Sequence, residues 1–287
     1  MSIKGYISEI FSSIQGEGGS VRGSCFGKRQ IFIRMCGCNL VKGKEKGENN
    51  TAGCIWCDSP DAQQVRGKRC KYEIEPGSEK FEKIKNPLSS SDLLPRIQNL
   101  ITPDLHSISF TGGEPLVQLP FLLHLAKTLR DHILHPLYLE TNGTILPETE
   151  YLPKIGKWFS YCCCDIKDRS AHATTDDQWK SLVQKELKFI KSMTELGINT
   201  FAKIVVTQDT QLSDIENICK QLSSITYSTS EIVGLAIQPV SLKQHHTKQI
   251  SPISKSHIYQ IFQTAAGSLP PENLSLSLQT HKYLNLL

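Results

Sequence analysis

The sequence predicts an α/β fold: a partial (open) parallel β/α barrel of about six strands, with an enlarged loop after the first of them. Short runs rich in β-branched and aromatic residues recur along the 287 residues, and amphipathic helical patterns lie between them. Several runs are apolar throughout, as in parallel strands that are covered by helices. About six such units are too few for a closed eight-stranded barrel and too many for a small flavodoxin-like domain.

The predicted strands are recognised by their apolar content. They are QIFIRM (30–35), HSISF (106–110), LYLE (137–140), WFSYCCCDI (158–166), FAKIVV (201–206) and IVGLAI (232–237). The clearest helix covers 179–193, where apolar side chains from Trp179 to Met193 recur with a period of about 3.6. Shorter helices are predicted over 92–101, 120–133, 212–224 and 254–265.

Two segments interrupt this alternation. Residues 39–53 and 61–90 are rich in Lys, Gly, Ser and Asn, which predicts loops or insertions. Neither an internal repeat nor a clear linker is visible in the sequence. Residues 1–287 are therefore predicted to form a single domain.

Composition and charge narrow the class of protein. A formal net charge of +4 without dense Lys/Arg runs suits an anionic small molecule and argues against nucleic acid as a partner. The N-terminus shows no signal-peptide pattern. No apolar stretch reaches the ~18 residues of a membrane span, so no membrane partner is expected. We expect a cytoplasmic protein.

Ten cysteines are unusual for such a chain. In a reducing compartment they are better explained as metal ligands, catalytic thiols or core residues than as disulfides. Strand alternation sends neighbours in the run 162–164 to opposite faces, which favours core positions over a shared metal. Cys219, in a helical stretch, is also predicted to be core, whereas Cys25 and Cys70 fit either role.

Polar or glycine-rich motifs follow the predicted strands. In parallel β/α folds, ligands bind where strands end and loops begin. Three of these motifs are TGGEP (111–115), ETNG (140–143) and DIK (165–167). Glycines let a ligand approach the backbone, and carboxylates and amides hold hydroxyl groups. Each motif alone also fits an ordinary turn, but together they predict one shared binding site.

Three further cysteines flank the enlarged loop. Cys54 and Cys57 form a C-x-x-C pair, and Cys38 lies upstream across a segment of fifteen residues. With Cys36 they would supply the four ligands of a structural zinc ion. Three thiolates alone suit a [4Fe–4S] cluster that leaves one iron open to a ligand. The spacing leaves both interpretations open.

The motifs together resemble a known family. Cys38, Cys54 and Cys57 with TGGEP and ETNG resemble the radical S-adenosylmethionine superfamily, whose usual cluster motif is C-x3-C-x2-C. The flanking segments FSSIQGEGGSVRGSCFGKRQIFIRMCGCNL and CIWCDS closely resemble the 7-carboxy-7-deazaguanine synthase family, in which an enlarged first gap is tolerated. LSLQTHKYLNL near the C-terminus also resembles that family, whereas 60–90 and 245–270 match poorly.

This resemblance implies a specific reaction, in 7-deazapurine (queuosine-type) biosynthesis. A [4Fe–4S] cluster would cleave S-adenosylmethionine to a 5′-deoxyadenosyl radical that removes hydrogen from 6-carboxy-5,6,7,8-tetrahydropterin. Ring contraction with loss of ammonia would give 7-carboxy-7-deazaguanine. The resemblance also implies Mg²⁺, a homodimer and a flavodoxin- or ferredoxin-type electron donor. It implies no catalytic side chain beyond the cluster and the cofactor.

The family's motifs also imply roles for individual positions. The cluster would be held by Cys38, Cys54 and Cys57. The implied S-adenosylmethionine contacts are Trp56, Cys57, Asp58, Gly113, Glu114, Glu140, Asn142, Asp165, Ile166 and Lys167. The implied substrate contacts are Ile14, Gln15, Gly16, Glu17, Arg34, Thr111, Gln238, Gln279, His281 and Leu287. Ser59, where the family usually has threonine, would help to hold Mg²⁺.

Ordinary explanations remain for several of these residues. Arg34 would also fit a surface ion pair, and Lys167 would fit a pair with a neighbouring aspartate. Glu17 could be a turn residue, and His281 could have a structural role. Two other functions also remain. One is a glycyl-radical-activase-like enzyme, which would lack the IQGEG and QTHKYL segments. The other is a non-catalytic zinc module built on Cys36 and the three flanking cysteines.

Overall fold

The computed structural model describes residues 3–41, 53–241 and 252–286. Its strands are β1 Lys4–Gly5, β2 Ile7–Ile14, β3 Arg29–Met35, β4 Arg69–Glu73, β5 Phe81–Lys85, β6 Leu88–Ser89, β7 Leu105–Gly112, β8 Leu137–Thr141, β9 Phe159–Ile166, β10 Asn199–Val206, β11 Gly234–Pro239 and β12 Leu274–Leu276. Its helices are α1 Ser90–Gln98, α2 Leu119–His132, α3 Leu152–Trp158, α4 Asp176–Glu195, α5 Leu212–Thr229, α6 Lys255–Ala266 and α7 Thr280–Tyr283.

A ten-stranded sheet, in the order β12-β11-β10-β9-β8-β7-β3-β2-β4-β5, forms the centre of the described chain. All neighbours from β3 to β12 along this order are parallel. The predicted strands are β3, β7, β8, β9, β10 and β11, which lie consecutively in this run. The α/β class and the open parallel arrangement are therefore confirmed.

The helices follow the amphipathic patterns of the sequence. In α4 the apolar positions, including Trp179, Leu187 and Met193, are buried against the sheet. Acidic residues occupy its first turn, where they favour the positive end of the helix dipole. α1 begins two residues earlier than predicted because Ser89 and Asp92 form a capping box. No helix in the described ranges combines the length and apolar character needed to cross a bilayer.

The sequence did not predict the antiparallel side of the sheet. β2 pairs antiparallel with β3 and parallel with β4, and β4 forms a hairpin with β5. The interpretation of 61–90 as loops or insertions is corrected, since this segment supplies two strands of the main sheet. Its charged, poorly alternating sequence hid these strands. Most of the predicted loop 39–53 lies outside the described residues.

The cysteine run in β9 lies in the core, as predicted. Cys162 and Cys164 pack in the large cluster between sheet and helices. Cys163 faces the opposite side, where it packs with Tyr138 and Phe201 inside the barrel. Cys219 is also buried, which confirms its core assignment.

Candidate active site

The carboxyl ends of the parallel strands surround a cavity of about 1360 Å³, counting the part that opens to solvent. Most of the predicted site residues line it. They are Ile14, Gln15, Gly16, Glu17, Arg34, Cys38, Cys54, Trp56, Cys57, Asp58, Ser59, Thr111, Gly113, Glu140, Asn142, Asp165, Lys167, Gln238, Gln279 and His281. Glu114 and Ile166 do not line the cavity, and Leu287 lies outside the described residues.

Three cysteines share one wall of this cavity. Cys38, Cys54 and Cys57 line it, whereas Cys36 is buried outside it, with its sulfur beside the backbone of Gly67. Within the described residues, no three His, Cys, Asp or Glu side chains are grouped closely enough for a single metal ion. Cys36 therefore does not face the cavity that the other three cysteines line. Separated thiols around an open space fit a multi-iron cluster, in which each sulfur binds a different iron.

Burial affects the ionisation of Cys54 and Cys38. It raises the pKa of Cys54 to about 11 and also raises the pKa of Cys38. The ammonium of Lys167 acts in the opposite direction on both. Since the thiolate is the form that binds a metal, Lys167 favours the ligand form of these cysteines.

The TGGEP turn packs against the end of β3. A Cβ on Gly113 would lie 2.2 Å from the carbonyl oxygen of Gly37, so no larger residue fits there. The amide of Gly113 donates to the Met35 carbonyl at 3.1 Å. Gly113 is therefore needed in part because the backbone of Gly37 packs against it, and not only to let a ligand approach.

Glu114 supports the site from behind. Its side chain is 0% exposed and accepts hydrogen bonds from the hydroxyl of Thr141 and the amide of Asn142, both at 2.7 Å, and from the amide of Leu116 at 3.0 Å. Since these donors use both oxygens, the carboxylate does not reach the cavity. The side chain of Glu114 fixes the end of β8, and a contact between this residue and S-adenosylmethionine stays a prediction.

The side chain of Ile166 also lies away from the cavity, and its contact with S-adenosylmethionine stays a prediction. It is 1% exposed and packs in the core between sheet and helices. Strand alternation turns its side chain away from the cavity while Asp165 and Lys167 face it.

A chain of charges crosses the floor of the cavity. Lys203 on β10 contacts the carboxylate of Glu17 and lies 3.1 Å from Asp165, which is also 3.1 Å from Lys167. Burial opposes the charge of Lys203, but Asp165 and Glu17 outweigh it and raise its pKa well above the usual value. Burial likewise opposes ionisation of Asp165, and Lys167 and Lys203 lower its pKa. Lys203 and Asp165 are therefore held in their charged forms at neutral pH.

Glu140 lies with the predicted substrate residues and not with Asn142. Its carboxylate accepts from Nε2 of Gln15 at 2.7 Å and from the hydroxyl of Thr111 at 2.9 Å. Burial raises the pKa of Glu140, and Lys203 partly opposes this. The side-chain amide of Asn142 instead donates to Oδ1 of Asn39 at 3.0 Å. Asn39 follows Cys38 directly in the chain.

The C-terminal segment closes one side of the cavity. Nε2 of Gln279 donates to Glu17 at 2.6 Å and to Asp58 at 3.1 Å. The amide of Thr280 donates to the carbonyl of Gly16 at 3.1 Å. His281 lies so close to Gly16 that a Cβ there would be 2.3 Å from its Nδ1. The IQGEG and QTHKYL segments therefore contact each other directly.

Arg34 forms an ion pair and also faces the cavity. Its Nε lies 3.5 Å from the carboxylate of Glu9, which is an ordinary ion pair. It also lines the cavity, donates to the hydroxyl of Ser59 at 2.7 Å and stacks over the ring of Phe11. Lys167 likewise pairs with Asp165 while facing the cavity.

Known relatives cover nearly the whole chain. The chain is 36% identical over 284 residues to a 7-carboxy-7-deazaguanine synthase of Thermococcus kodakarensis, with 98% of each chain covered. It belongs to the 7-carboxy-7-deazaguanine synthase family. The protein of that name from Methanocaldococcus jannaschii is 33% identical over 282 residues, covering 98% of this chain and 100% of that protein.

Two more comparisons place this synthase-family chain among iron–sulfur proteins of similar fold. The pattern of a 4Fe-4S single cluster domain matches residues 54–187. This match includes the C-x-x-C pair but begins after Cys38. The crystal structure of QueE from Escherichia coli aligns with a TM-score of 0.52 at 20% identity, covering 96% of this chain and 93% of that chain, which is a likeness of fold.

Two cations in the cavity of this family member were not predicted. Lys203 is the lone charged residue in FAKIVV, and a single lysine in an otherwise apolar strand was the available signal. Lys282 lines the cavity and lies 3.5 Å from Asp58. Its position next to His281 was not enough to distinguish it from a surface lysine.

Proposed function

We propose that this chain is a 7-carboxy-7-deazaguanine synthase, which converts 6-carboxy-5,6,7,8-tetrahydropterin to 7-carboxy-7-deazaguanine with loss of ammonia. The observation that carries the proposal is the convergence of three separated thiols and the IQGEG and QTHKYL segments on one cavity. Identity to a synthase of that name along nearly the whole chain supports it. When bound, a [4Fe–4S] cluster and S-adenosylmethionine supply the radical chemistry.

The protein's own residues divide the cavity into two parts. We assign Cys38, Cys54 and Cys57 to the cluster, with Asn142 and Lys167 beside them for S-adenosylmethionine.

The substrate part lies across the charge chain from the cysteines. We assign Gln15, Glu140 and Thr111 to the polar edge of the pterin, because their amide, carboxyl and hydroxyl groups match its alternating donors and acceptors. Arg34 is assigned to the substrate carboxylate, since a guanidinium binds a carboxylate in a two-pronged manner. Glu17 already contacts Lys203 and Gln279, so its role is to hold these groups as well as to face the ligand.

Mg²⁺ is proposed to bind at Ser59, next to Asp58. A magnesium ion keeps several waters and needs few protein ligands. The hydroxyl of Ser59 donates to Asp58 at 3.3 Å and accepts from Arg34 at 2.7 Å. Arg34 and the cation therefore compete for the same oxygen, and movement of Arg34 toward a substrate carboxylate would free it.

The remaining parts of the proposal concern the protein's surroundings. We propose that residues 1–287 act as one catalytic domain, that the protein is a cytoplasmic homodimer, and that a flavodoxin- or ferredoxin-type protein supplies electrons. Size-exclusion chromatography with light scattering would measure the oligomeric state directly.

The decisive experiment is anaerobic turnover. Protein reconstituted with iron and sulfide is reduced with dithionite and incubated with S-adenosylmethionine and 6-carboxy-5,6,7,8-tetrahydropterin, with and without Mg²⁺. Appearance of 7-carboxy-7-deazaguanine by mass spectrometry supports the proposal. Cleavage of S-adenosylmethionine without this product would instead indicate another radical reaction, such as that of an activase.

A cysteine series tests the cluster assignment. Cys38→Ala, Cys54→Ala and Cys57→Ala are expected to lose the broad brown absorption of the reconstituted protein. Cys36→Ala is the matched control, because Cys36 lies outside the cavity, and it should retain the absorption. Loss of colour in Cys36→Ala alone would contradict the assignment.

A further inference from the structure

The hairpin of β4 and β5 carries a cluster of positive charge on one face. Arg69 lies opposite Lys85, and Lys71 lies opposite Lys83. All four residues are exposed. We call these four residues the basic hairpin face. The opposite face of the same hairpin holds the buried Cys70, so the alternation of the strands sorts cations to one side only.

The charges on this face are not neutralised within the hairpin. Like charges directly opposite each other destabilise a strand pair. The nearest carboxylates on this side are already in use: buried Glu73 accepts from the amides of Ser12 at 2.8 Å and Glu79 at 2.9 Å, and Glu9 is shared between Arg34 and Lys71. Lysines on the edge strand β5 also discourage edge-to-edge aggregation.

The basic hairpin face continues into the wall of the cavity. Lys71 lies 2.9 Å from Glu9, and Glu9 lies 3.5 Å from Arg34. Arg34 lines the cavity and donates to Ser59, two residues after Cys57. A series of polar contacts thus joins Lys71 of this face to the region of the cysteines. A partner bound to this face would lie beside the mouth of the cavity.

We propose that the basic hairpin face docks the acidic surface of the redox protein that supplies electrons to this site. The inference rests on the proposed function, because such a site needs an electron from outside. With a cluster held by Cys38, Cys54 and Cys57, one electron would pass from the partner's reduced flavin to the cluster, which would oxidise the flavin by one electron. Complementary charge orients such partners during encounter and raises the association rate.

Binding is tested with a recombinant FMN flavodoxin of strongly negative net charge, in the oxidised state and at low ionic strength. Lys83→Glu combined with Lys85→Glu is expected to weaken binding on the order of tenfold or more in calorimetry and to flatten its dependence on salt. Lys185→Glu combined with Lys188→Glu on α4 is the matched control. It makes the same change in net charge at exposed positions and is expected to bind as the parent does.

Three results would overturn the proposal. They are unchanged binding in the hairpin variant, equal weakening in the α4 variant, and tighter binding of an RNA duplex than of flavodoxin that is lost in the hairpin variant. Dithionite-driven turnover separates this proposal from the proposed function. The hairpin variant should retain that turnover, because dithionite needs no docking surface. If the parent protein forms no product with dithionite, the proposed function is contradicted. The docking surface is then judged by the flavodoxin binding measurement alone.

Discussion

Nζ of Lys203 lies 3.1 Å from Oδ1 of Asp165 and also contacts the carboxylate of Glu17. Glu17 belongs to the loop after β2, and Asp165 lies near the end of β9. One buried ammonium therefore joins the segment assigned to the substrate with the strand end assigned to the cofactor. We expect the positions of the side chains in both parts of the cavity to depend on Lys203.

Replacing Lys203 with methionine tests this dependence. The change removes the cation that Glu17 and Asp165 share. Asp165 keeps its pair with Lys167, so we expect the free energy of unfolding to fall by less than the about 3–5 kcal/mol of breaking a fully buried pair. We expect a clear fall in denaturant midpoint and loss of product formation. Lys220→Met is the control, since Lys220 forms an exposed pair with Glu216 on α5 and such pairs contribute about 0.3–0.5 kcal/mol. Equal effects of the two variants would contradict the assigned role.

Gly16→Ala tests the contact between the two terminal segments. A Cβ at position 16 would lie 2.3 Å from Nδ1 of His281 and 2.8 Å from its backbone nitrogen, so the C-terminal segment must shift. We expect the KM for the pterin to rise at least tenfold while the cluster absorption is retained. Adding His281→Ala removes the imidazole clash but not the backbone clash and should restore binding only in part. Loss of the cluster absorption in Gly16→Ala would place the effect elsewhere.

His281 gives a pH dependence with a defined sign. Burial lowers its pKa, Lys282 adds to this effect, and Glu17 and Asp58 oppose it. Below the usual histidine pKa of about 6.5, the unfolded chain therefore binds more protons than the folded one. The stability from neutral His281 is complete above that pH and is lost as the pH falls toward the lowered pKa. Denaturant unfolding at several pH values should show a smaller acid loss in His281→Asn than in the parent; equal losses would contradict this.

α4 holds the backbone of Lys167 from both sides. Glu186 accepts from its amide at 3.2 Å, and Nε1 of Trp179 donates to its carbonyl at 2.8 Å. Burial raises the pKa of Glu186 well above its usual value, which favours a neutral acid that glutamine resembles in shape. We interpret Glu186 as a positioning residue for Lys167.

Two variants of Glu186 separate positioning from general stability. Glu186→Ala leaves the Lys167 amide without an acceptor, which costs about 1–3 kcal/mol. It should also raise the KM for S-adenosylmethionine more than it lowers kcat. Glu186→Gln retains an acceptor and should restore that KM. If the KM stays constant in Glu186→Ala while only stability falls, the role is structural alone.

Much of the fold was predictable because it depends on local pattern. Apolar runs that alternate with amphipathic helices, such as the segment around Trp179, require burial against a parallel sheet. The hairpin of β4 and β5 was not predictable in this way. Its exposed lysines give no alternating apolar signal, and pairing of β4 with β2 supplies the stability that the local sequence lacks.

The sequence by itself determined which residues stand at the strand ends, since a strand's length and alternation are local properties. It also determined the family, through motifs such as the cysteines around the enlarged loop. Only the tertiary structure decided which strand ends meet. Lys203 and Glu17 are 186 positions apart, and Glu114 faces inward because β8 lies beside β7. Such contacts depend on the order of strands in the sheet, which the burial of all the elements together determines.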